Sequence, residues 1–583
     1  MARVRERVSA ARLRAALRNT FGLKALRPGQ NRVIERVLAG LPTLALMPTG
    51  AGKSLCYQLP ATLSTRRTVV VSPLIALMKD QCDGLVELGV AAVQAHSGLN
   101  AEQRDAAEQA IADGSAQIVF TTPEQLSRDE FVTMLKSREV GLLVIDEAHC
   151  ISQWGFDFRP AFLCIGAAIP ALGRPNVLAL TATATQQVID DISQLLAIPR
   201  AGLIGTDLYR ENLHYRAEHF SRLQDKLPRL VELVGASRGS GIVYVATVKA
   251  AEEVHAALIA DGHSASIYHG RLGAARRREN QDRFMDDQVR VMVATNAFGL
   301  GIDKPDIRFV VHYQMPGGLD AYYQESGRAG RDGEPAVCTL MSVDADRSVQ
   351  QFFLAGRYPD QTDFRLVAQA LPKPAPTDEG WTLDALCEHS HKPQRKIAVA
   401  LNVLRNEGLV SADLHGVWQP RVASIDSTLI ETLVDRCRQK AERDQAMLER
   451  MVAYAQGGHC RWRQLLDHLE DDGPLIDRCG TCDNCLRLAE HEAFMAQTGD
   501  ADQASASAEP IVVATTVRFT VGQRVRTRRH GAAEVVAADA LSITVVLGNG
   551  ETRSFQPDFL SPIGGRRRIG QANQAGQAAM PVG

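Results

Sequence analysis

The sequence predicts an α/β protein: two tandem domains, each a parallel β-sheet covered by helices, followed by smaller helical and β modules. Three observations carry that prediction. From about residue 20 to 345, short β-branched runs alternate with longer helical patterns. The alternation then stops and a helix-rich pattern begins. Near the C-terminus the chain changes again, to short alternating segments separated by turn residues. Continuous apolar runs between helical stretches are the mark of parallel strands, because each crossover lays a helix over the sheet and buries both faces.

TLALM, TVVVS, QIVFT, GLLVID and VLALT make the first set of strands, and GIVYVA, ASIYH, VRVMVAT and RFVVHY the second. The sets part near 200–210, so the first domain is expected at residues 1–205 and the second at 206–345. LPKPAPTDEG is a Pro-rich linker inside residues 346–425, where helix, turn, helix and hairpin follow in the order of a winged helix. Residues 426–490 are helical and end in a cysteine cluster. Residues 491–512 are low in apolar content and are expected to be a flexible linker. Within 513–563, Asn549-Gly550 sits between alternating runs, a strong hairpin signal, and the segment is expected to be a small, mostly antiparallel barrel. Residues 564–583 are expected to be disordered.

At 583 residues the chain is too long for one core. A hydrophobic fraction of 45% and a charged fraction of 23% are ordinary for a globular protein. The formal net charge of -2 does not advertise a polyanion binder, although a basic groove can sit inside a balanced total. No stretch approaches the ~18 apolar residues of a membrane span, so no membrane partner is expected. The basic start MARVRERVSAARLRAALR lacks the apolar core of a secretory signal; it reads as a solvated first helix, with a transit peptide as the alternative. Eleven cysteines without an export signal favour reduced thiols and a metal over disulfides, and a cytoplasmic location.

MPTGAGKS (47–54) follows the first strand and precedes a helical pattern, the context a phosphate-binding loop requires. Thr49, Gly50 and Gly52 belong to the nucleotide-contacting loop; the glycines let backbone N–H groups turn onto phosphate oxygens at a helix N-terminus. Lys53 would reach the β- and γ-phosphates and the Ser54 hydroxyl would ligate Mg2+. Met47 replaces the first glycine of the general motif. Asp146 and Glu147 end the strand GLLVI, where Asp146 would hold Mg2+ and Glu147 would orient the attacking water as general base. His149 is ambiguous by itself.

MPTGAGKS, DEAH, LTATAT (180–185) and YYQESGRAGRDG (322–333), in that order, resemble the superfamily 2 helicases. With FGLKALRPGQ (21–30), SPLIALMKDQ (72–81), DEAHCISQWG (146–155), ATNAFGLGIDKPDIRFVVH (294–312) and the late cysteines, the chain is similar to a RecQ-type DNA helicase. The resemblance implies two tandem RecA-like domains, ATP and Mg2+ as cofactors, 3′ to 5′ movement, and a role in DNA recombination and repair. It implies DNA with a single-stranded tail and a duplex junction as partner, besides a repair or single-strand-binding protein.

Carried onto this sequence, the resemblance gives Gln30 and Arg27 an adenine-recognising role. Arg328 and Arg331 would complete the site from the second domain, with Arg331 as arginine finger; Gln324 would align the water or γ-phosphate. Gly301 and Asp303 would contact nucleotide and report closure. Trp154, Phe156, Phe158 and Arg159 form the family's aromatic-rich loop, in which a base stacks without its identity being read. Because that loop begins where the acidic pair ends, DNA engagement would gate hydrolysis. Phe156 stands where the family usually has histidine.

Cys460, Cys479, Cys482 and Cys485 stand as C-x18-C-x2-C-x2-C, a spacing that suits a four-thiolate structural Zn2+ site, with His459 and His468 as less favoured ligands. The module order departs from the family. The winged-helix-like stretch precedes the zinc module instead of following it, and the small barrel resembles SH3- or Tudor-like modules. His415 and Trp418 in LHGVW suit either a strand-separating wedge or an ordinary wing with a packed Trp. RVRTRRHG (524–531) and GRRR (565–568) suit DNA phosphates or a protein partner. The altered order leaves one enzymatic alternative, a DNA-stimulated ATPase that remodels protein–DNA complexes without processive unwinding. A nonenzymatic scaffold is disfavoured by the intact Lys53, Asp146, Glu147 and Arg331.

Overall fold

A computed structural model describes residues 9–152, 159–298, 303–355, 357–375, 380–412, 417–470, 476–499, 519–527, 530–538 and 542–563. By their contacts they form two compact units, residues 1–455 with 460–483, and residues 456–459 with 484–583.

The first unit contains both parallel sheets. In the first, β1 (Thr43–Leu46), β2 (Arg67–Val71), β3 (Ala92–Ala95), β4 (Ile118–Thr121), β5 (Val140–Ile145), β6 (Asn176–Thr181) and β7 (Leu203–Gly205) run in the order β3-β4-β2-β5-β6-β1-β7. Every pairing is parallel. The second has β8 (Leu213–Phe220), β9 (Ser240–Tyr244), β10 (Ala265–Tyr268), β11 (Val291–Ala294), β12 (Ile307–His312) and β13 (Ala336–Val343), in the order β10-β11-β9-β12-β13-β8, again all parallel. The apolar run of β5 explains the burial. Leu143 and Ile145 enter the core on one face of the sheet, Leu142 and Val144 the core on the other. A strand side chain alternates faces, so a strand covered on both sides must be apolar throughout. Each such side chain contributes about 1.5–3 kcal/mol on burial.

Nine strands were expected from such runs, and the sheets contain four more: β3, β7, β8 and β13. The first three are edge strands. An edge strand has one open side and tolerates polar residues, as β8 (LHYRAEHF) does with only Leu213 and Tyr215 buried. β13 (AVCTLMSV) is buried along nearly its whole length, but Cys, Thr and Ser interrupt the β-branched pattern that marks the others.

After the second sheet, the helices Gln361–Ala370, Leu383–Ser390 and Gln394–Asn406 and the antiparallel pair β14 (Val410–Ala412) and β15 (Trp418–Pro420) surround a separate apolar cluster that includes Phe364, Trp381, Leu386 and Leu401. Trp418 is half-buried against it, and the Arg405 guanidinium lies 5.7 Å from its ring. Trp418 is thus a packed strand residue; His415 lies outside the described residues. A 30-residue helix, Ser427–Gln456, and the helix Arg461–His468 follow.

In the second unit, the helix Asp483–Gly499 corrects one expectation. Residues 491–499, assigned to a flexible linker, continue a helix, because HEAFMAQT is rich in good helix formers. The remainder of that linker, residues 500–512, lies outside the described residues. A five-stranded antiparallel sheet follows, with β16 (Arg524–Thr527), β17 (Gly531–Ala538), β18 (Ile543–Leu547), β19 (Thr552–Phe555) and β20 (Leu560–Pro562) in the order β19-β18-β17-β16-β20. Asn549-Gly550 turns the chain between β18 and β19, with Gly550 at φ +81 donating its N–H to Leu547 O at 2.9 Å. Phe519, Phe555 and Phe559 are all buried in this sheet's core, whereas Arg524 and Arg526 point outward. The tail from residue 564, with GRRR at 565–568, lies outside the described residues, as do Arg528 and Arg529.

Candidate functional site

The loop 47–54 leaves β1 at its C-terminal end and enters the helix Leu55–Leu63. Gly50 and Gly52 have φ of +86 and +75, a left-handed backbone that side chains disfavour. Space excludes a side chain as well. A Cβ on Gly52 would stand 2.5 Å from Gln30 Nε2, and one on Gly50 would stand 3.1 Å from Arg331 Cγ. The Gln30 amide donates to Ala51 O at 3.1 Å and Gly52 O at 2.9 Å, and its Oε1 accepts Arg27 N–H at 2.7 Å. Arg27 Nη1 donates to Gly50 O. Gln30 and Arg27 therefore fix three carbonyls of the loop itself. Thr49 lies beside Gly327, and Ser54 stands at the N-cap position of the helix that follows, its side chain making no capping bond.

Lys53 Nζ donates to Met47 O at 3.3 Å. Burial pushes this ammonium down, against the upward pull of Glu147 and Asp146. Asp146 is 9% exposed at the end of β5, with its N–H bonded to Val71 O of β2 at 2.9 Å. Burial, and then the charge of Glu147, push its carboxyl up to about 7; Lys53 opposes them.

Glu147 has φ +51, a strained value for a residue with a Cβ. The turn aims its carboxylate at His149, whose Nδ1 is 3.3 Å from Glu147 Oε2 and 3.1 Å from Thr181 Oγ1. Thr181 Oγ1 donates to Thr183 O at 3.0 Å, and Gln324 Nε2 donates to Thr183 Oγ1 at 3.4 Å. A continuous set of contacts thus runs from the acidic pair of one lobe to the helix Leu319–Ser326 of the other. His149, ambiguous in the sequence, thus lies buried between Glu147 and Thr181.

From the second lobe, Arg331 reaches the phosphate loop at Gly50 and pairs through Nη1 with Asp303. Its side chain is 11% exposed. Burial pushes it down to about 10, with Asp303 resisting, so the guanidinium stays charged at neutral pH. Arg328 is 4% exposed. The Nε atoms of both arginines are buried without a hydrogen-bond partner among the described residues. Unsatisfied cationic donors on two neighbouring arginines, one of them against the phosphate loop, are what an anionic ligand would satisfy.

Arg159 Nη1 donates to Pro73 O at 2.8 Å and its N–H to Cys150 O at 3.0 Å, which ties the end of its loop to the segment after β2. Trp154, Phe156, Phe158 and Gly301 lie outside the described residues. Arg210 and Asn212 are contributors that sequence reasoning missed; both hydrogen-bond the loop carrying Arg328 and Arg331 across more than a hundred residues of sequence. No local spacing announces such a contact.

Cys460, Cys479, Cys482 and Cys485 are brought together, with all four sulfurs within 4.8 Å of one another. Backbone N–H groups are aimed at these sulfurs: Cys479 N to Cys460 Sγ at 3.4 Å, Cys482 N to Cys479 Sγ at 3.3 Å and Arg461 N to Cys482 Sγ at 3.4 Å. Four thiolates and such N–H donors fit a structural Zn2+. Neither His459 nor His468 joins the group; His468 Nε2 lies 2.9 Å from Asp320 Oδ2 instead.

Two parallel-sheet lobes, with a phosphate loop and acidic pair on one and arginines on the other, define a helicase of superfamily 2. Family models agree: DEAD/DEAH box helicase matches residues 27–192, helicase conserved C-terminal domain residues 225–333, and RecQ zinc-binding residues 425–486. The chain is 42% identical over 349 residues to the ATP-dependent DNA helicase RecQ of Bacillus subtilis (strain 168), covering 59% of this chain and 58% of that one. It is 38% identical over 380 residues to the probable ATP-dependent DNA helicase RecS of the same organism, covering 65% of this chain and 76% of that one. The DUF1998 helicase MrfA bound to DNA shares the fold, with a TM-score of 0.51 at 20% identity over 73% of this chain and 64% of that one. This chain belongs to the RecQ-type family of superfamily 2 DNA helicases.

Proposed function

We propose that the protein uses ATP hydrolysis to move 3′ to 5′ along one DNA strand and to separate the duplex ahead of it, in DNA recombination and repair. The observation that carries this reading is the approach of Arg331 to the Gly50 backbone, beside Lys53 and the acidic pair. In this reading Lys53 holds the β- and γ-phosphates, Ser54 and Asp146 hold Mg2+, and Glu147 takes the proton of the attacking water. Mg2+, when bound, neutralises phosphate charge. Arg331, with Arg328, stabilises the charge that develops on the transferred group, and Gln324 aligns the water. Gln30 and Arg27, which brace the loop, also meet the adenine; Gly301 and Asp303 read closure. Opening and closing of the lobes then advances the grip on DNA.

Trp154, Phe156, Phe158 and Arg159 are the residues that engage the single strand near the junction. Replacing Trp154 by alanine is expected to raise the DNA concentration for half-maximal ATPase stimulation by roughly tenfold, since a stacked base contributes about 1–3 kcal/mol. The DNA-free rate should stay within about twofold. Equal losses of both rates would remove the loop from the coupling.

We read the stretch at about 381–420 as winged-helix-like and 513–563 as an SH3- or Tudor-like barrel. The outward Arg524 and Arg526 suit contact with phosphates. A repair or single-strand-binding protein remains the expected protein partner. No helix among the described residues is long and apolar enough to cross a membrane, and we place the protein in the cytoplasm. The deciding experiment is unwinding of forked, tailed and four-way DNA with either tail polarity, with Lys53→Ala as blank. Unwinding that needs a 3′ tail is the expected result. Displacement of a bound protein without strand separation would establish the remodelling ATPase instead.

A further inference from the structure

The segment joining the lobes, residues 206–212, is fastened at both ends to opposite halves of the site. At one end, Thr206 N–H and Oγ1 donate to Leu46 O of β1 at 3.0 and 3.1 Å, next to the first residue of the phosphate loop. At the other, the Arg210 guanidinium enters the loop that carries Arg328 and Arg331. Its Nη1 donates to Gly327 O at 2.8 Å; its Nη2 donates to Ala329 O at 2.8 Å and also to Gly330 O. Asn212 Nδ2 donates to Gly330 O and Glu334 O, both at 2.8 Å.

These carbonyls follow the C-terminus of the helix Leu319–Ser326, where backbone acceptors lose their intrahelical donors and a cation is favoured. Gly330 and Gly333 both have positive φ, but only Gly330 is also crowded. Gly330 has φ +56, and a Cβ there would stand 2.5 Å from Asn212 Nδ2 and 2.7 Å from Glu334 O. Arg331 is the next residue. The direction in which its side chain leaves the loop is therefore set by a backbone that Arg210 and Asn212 hold from beneath. In these bonds the Arg210 guanidinium meets only backbone carbonyls of the 327–330 loop.

We propose that Arg210 is a positioning residue for the arginine finger, a guanidinium clamp that fixes the 327–330 backbone so that Arg331 meets the phosphates, with Asn212 as its auxiliary. Because the clamp belongs to the interlobe connection, a change in lobe separation alters the finger and its support together. The inference rests on the finger assignment made above for Arg331. A planar fork spans several carbonyls at once, whereas a lysine ammonium is a single point charge, so lysine at 210 restores only part of the clamp.

The test is a double-mutant cycle on DNA-stimulated ATPase, made in the full chain with thermal unfolding and zinc content as folding controls. Arg210→Ala is expected to lower kcat by roughly 10–100-fold, the scale of a catalytic group displaced by about 1 Å. The KM for ATP should change little. Arg210→Lys should recover part of that loss. In an Arg331→Ala background, Arg210→Ala should cost less than about twofold further, because a clamp has no effect once the group it positions is gone. Should Arg210→Ala fail to fold, Asn212→Ala gives the same cycle with a smaller first step. Additive losses, or a rise in KM with kcat unchanged, overturn the clamp and leave the finger standing. A wild-type kcat in Arg331→Ala overturns the finger and the clamp with it.

Discussion

Arg331→Ala is expected to lower the kcat of DNA-stimulated ATP hydrolysis by about 10³–10⁵-fold, the range arginine fingers supply in phosphoryl transfer. ATP should still bind, because the loop 47–54 and its Gln30 and Arg27 braces lie wholly on the other lobe. Three features make the effect large. The guanidinium is nearly buried and so acts through a medium that screens charge poorly. It keeps its charge, since burial lowers it only to about 10. Its Nε is a donor without a partner among the described residues, and its pairing with Asp303 holds the group against the phosphate loop. Arg331→Lys should recover little, because an ammonium cannot satisfy Asp303 and a phosphoryl oxygen in the same fork geometry. Steady-state kinetics with a fluorescent-nucleotide binding assay separates the two quantities. Weakened nucleotide binding with kcat unchanged would make Arg331 a binding residue only.

Loss of the zinc cluster is the second large effect. Cys482→Ala should eliminate the roughly one zinc per chain and make residues 460–485 sensitive to protease, because structural zinc contributes about 10–16 kcal/mol to the folding of small metal modules. The damage should extend to the second lobe. Cys482 Sγ accepts the Arg461 N–H, and Arg461 Nε donates to Asp483 Oδ1 at 2.9 Å. Asp483 Oδ2 accepts Ala217 N–H of β8 at 3.0 Å. The neighbouring Trp462 is wholly buried; its Nε1 donates to Leu213 O at 3.0 Å and its ring meets Tyr209 and Tyr215 edge-on at 5.0 Å. The cysteines therefore anchor a residue pair that covers the edge strand of the second sheet, and unfolding of that lobe should begin at lower temperature. Metal analysis and limited proteolysis measure this directly. A zinc-free variant with wild-type protease resistance would mean that the thiols need no metal.

Much of this was legible before any coordinates. GLLVID declared a strand buried on two faces and ended in its acidic pair. MPTGAGKS declared a glycine-dependent turn, and both glycines have the left-handed φ the motif requires. CGTCDNC declared three clustered thiols, and Asn549-Gly550 a hairpin. These features are local: each follows from period, spacing or a backbone angle that only glycine adopts easily. Of the four strands that escaped, β3, β7 and β8 lie at sheet edges, where packing on one side only removes the apolar signature, and in the interior β13 Cys, Thr and Ser break it.

The chain by itself determined the chemistry available: a phosphate loop, two carboxylates, a pair of arginines and four thiols, each set within a short span. Only the tertiary structure decided which of them meet. It brought Arg331 to Gly50, linked Glu147 through His149 and the threonines to Gln324, and set Arg210 beneath a loop some 117 residues away. Such contacts form when two separately folded sheets approach, and the free energy that holds them comes from packing spread over the whole interface. No short window of sequence carries that information.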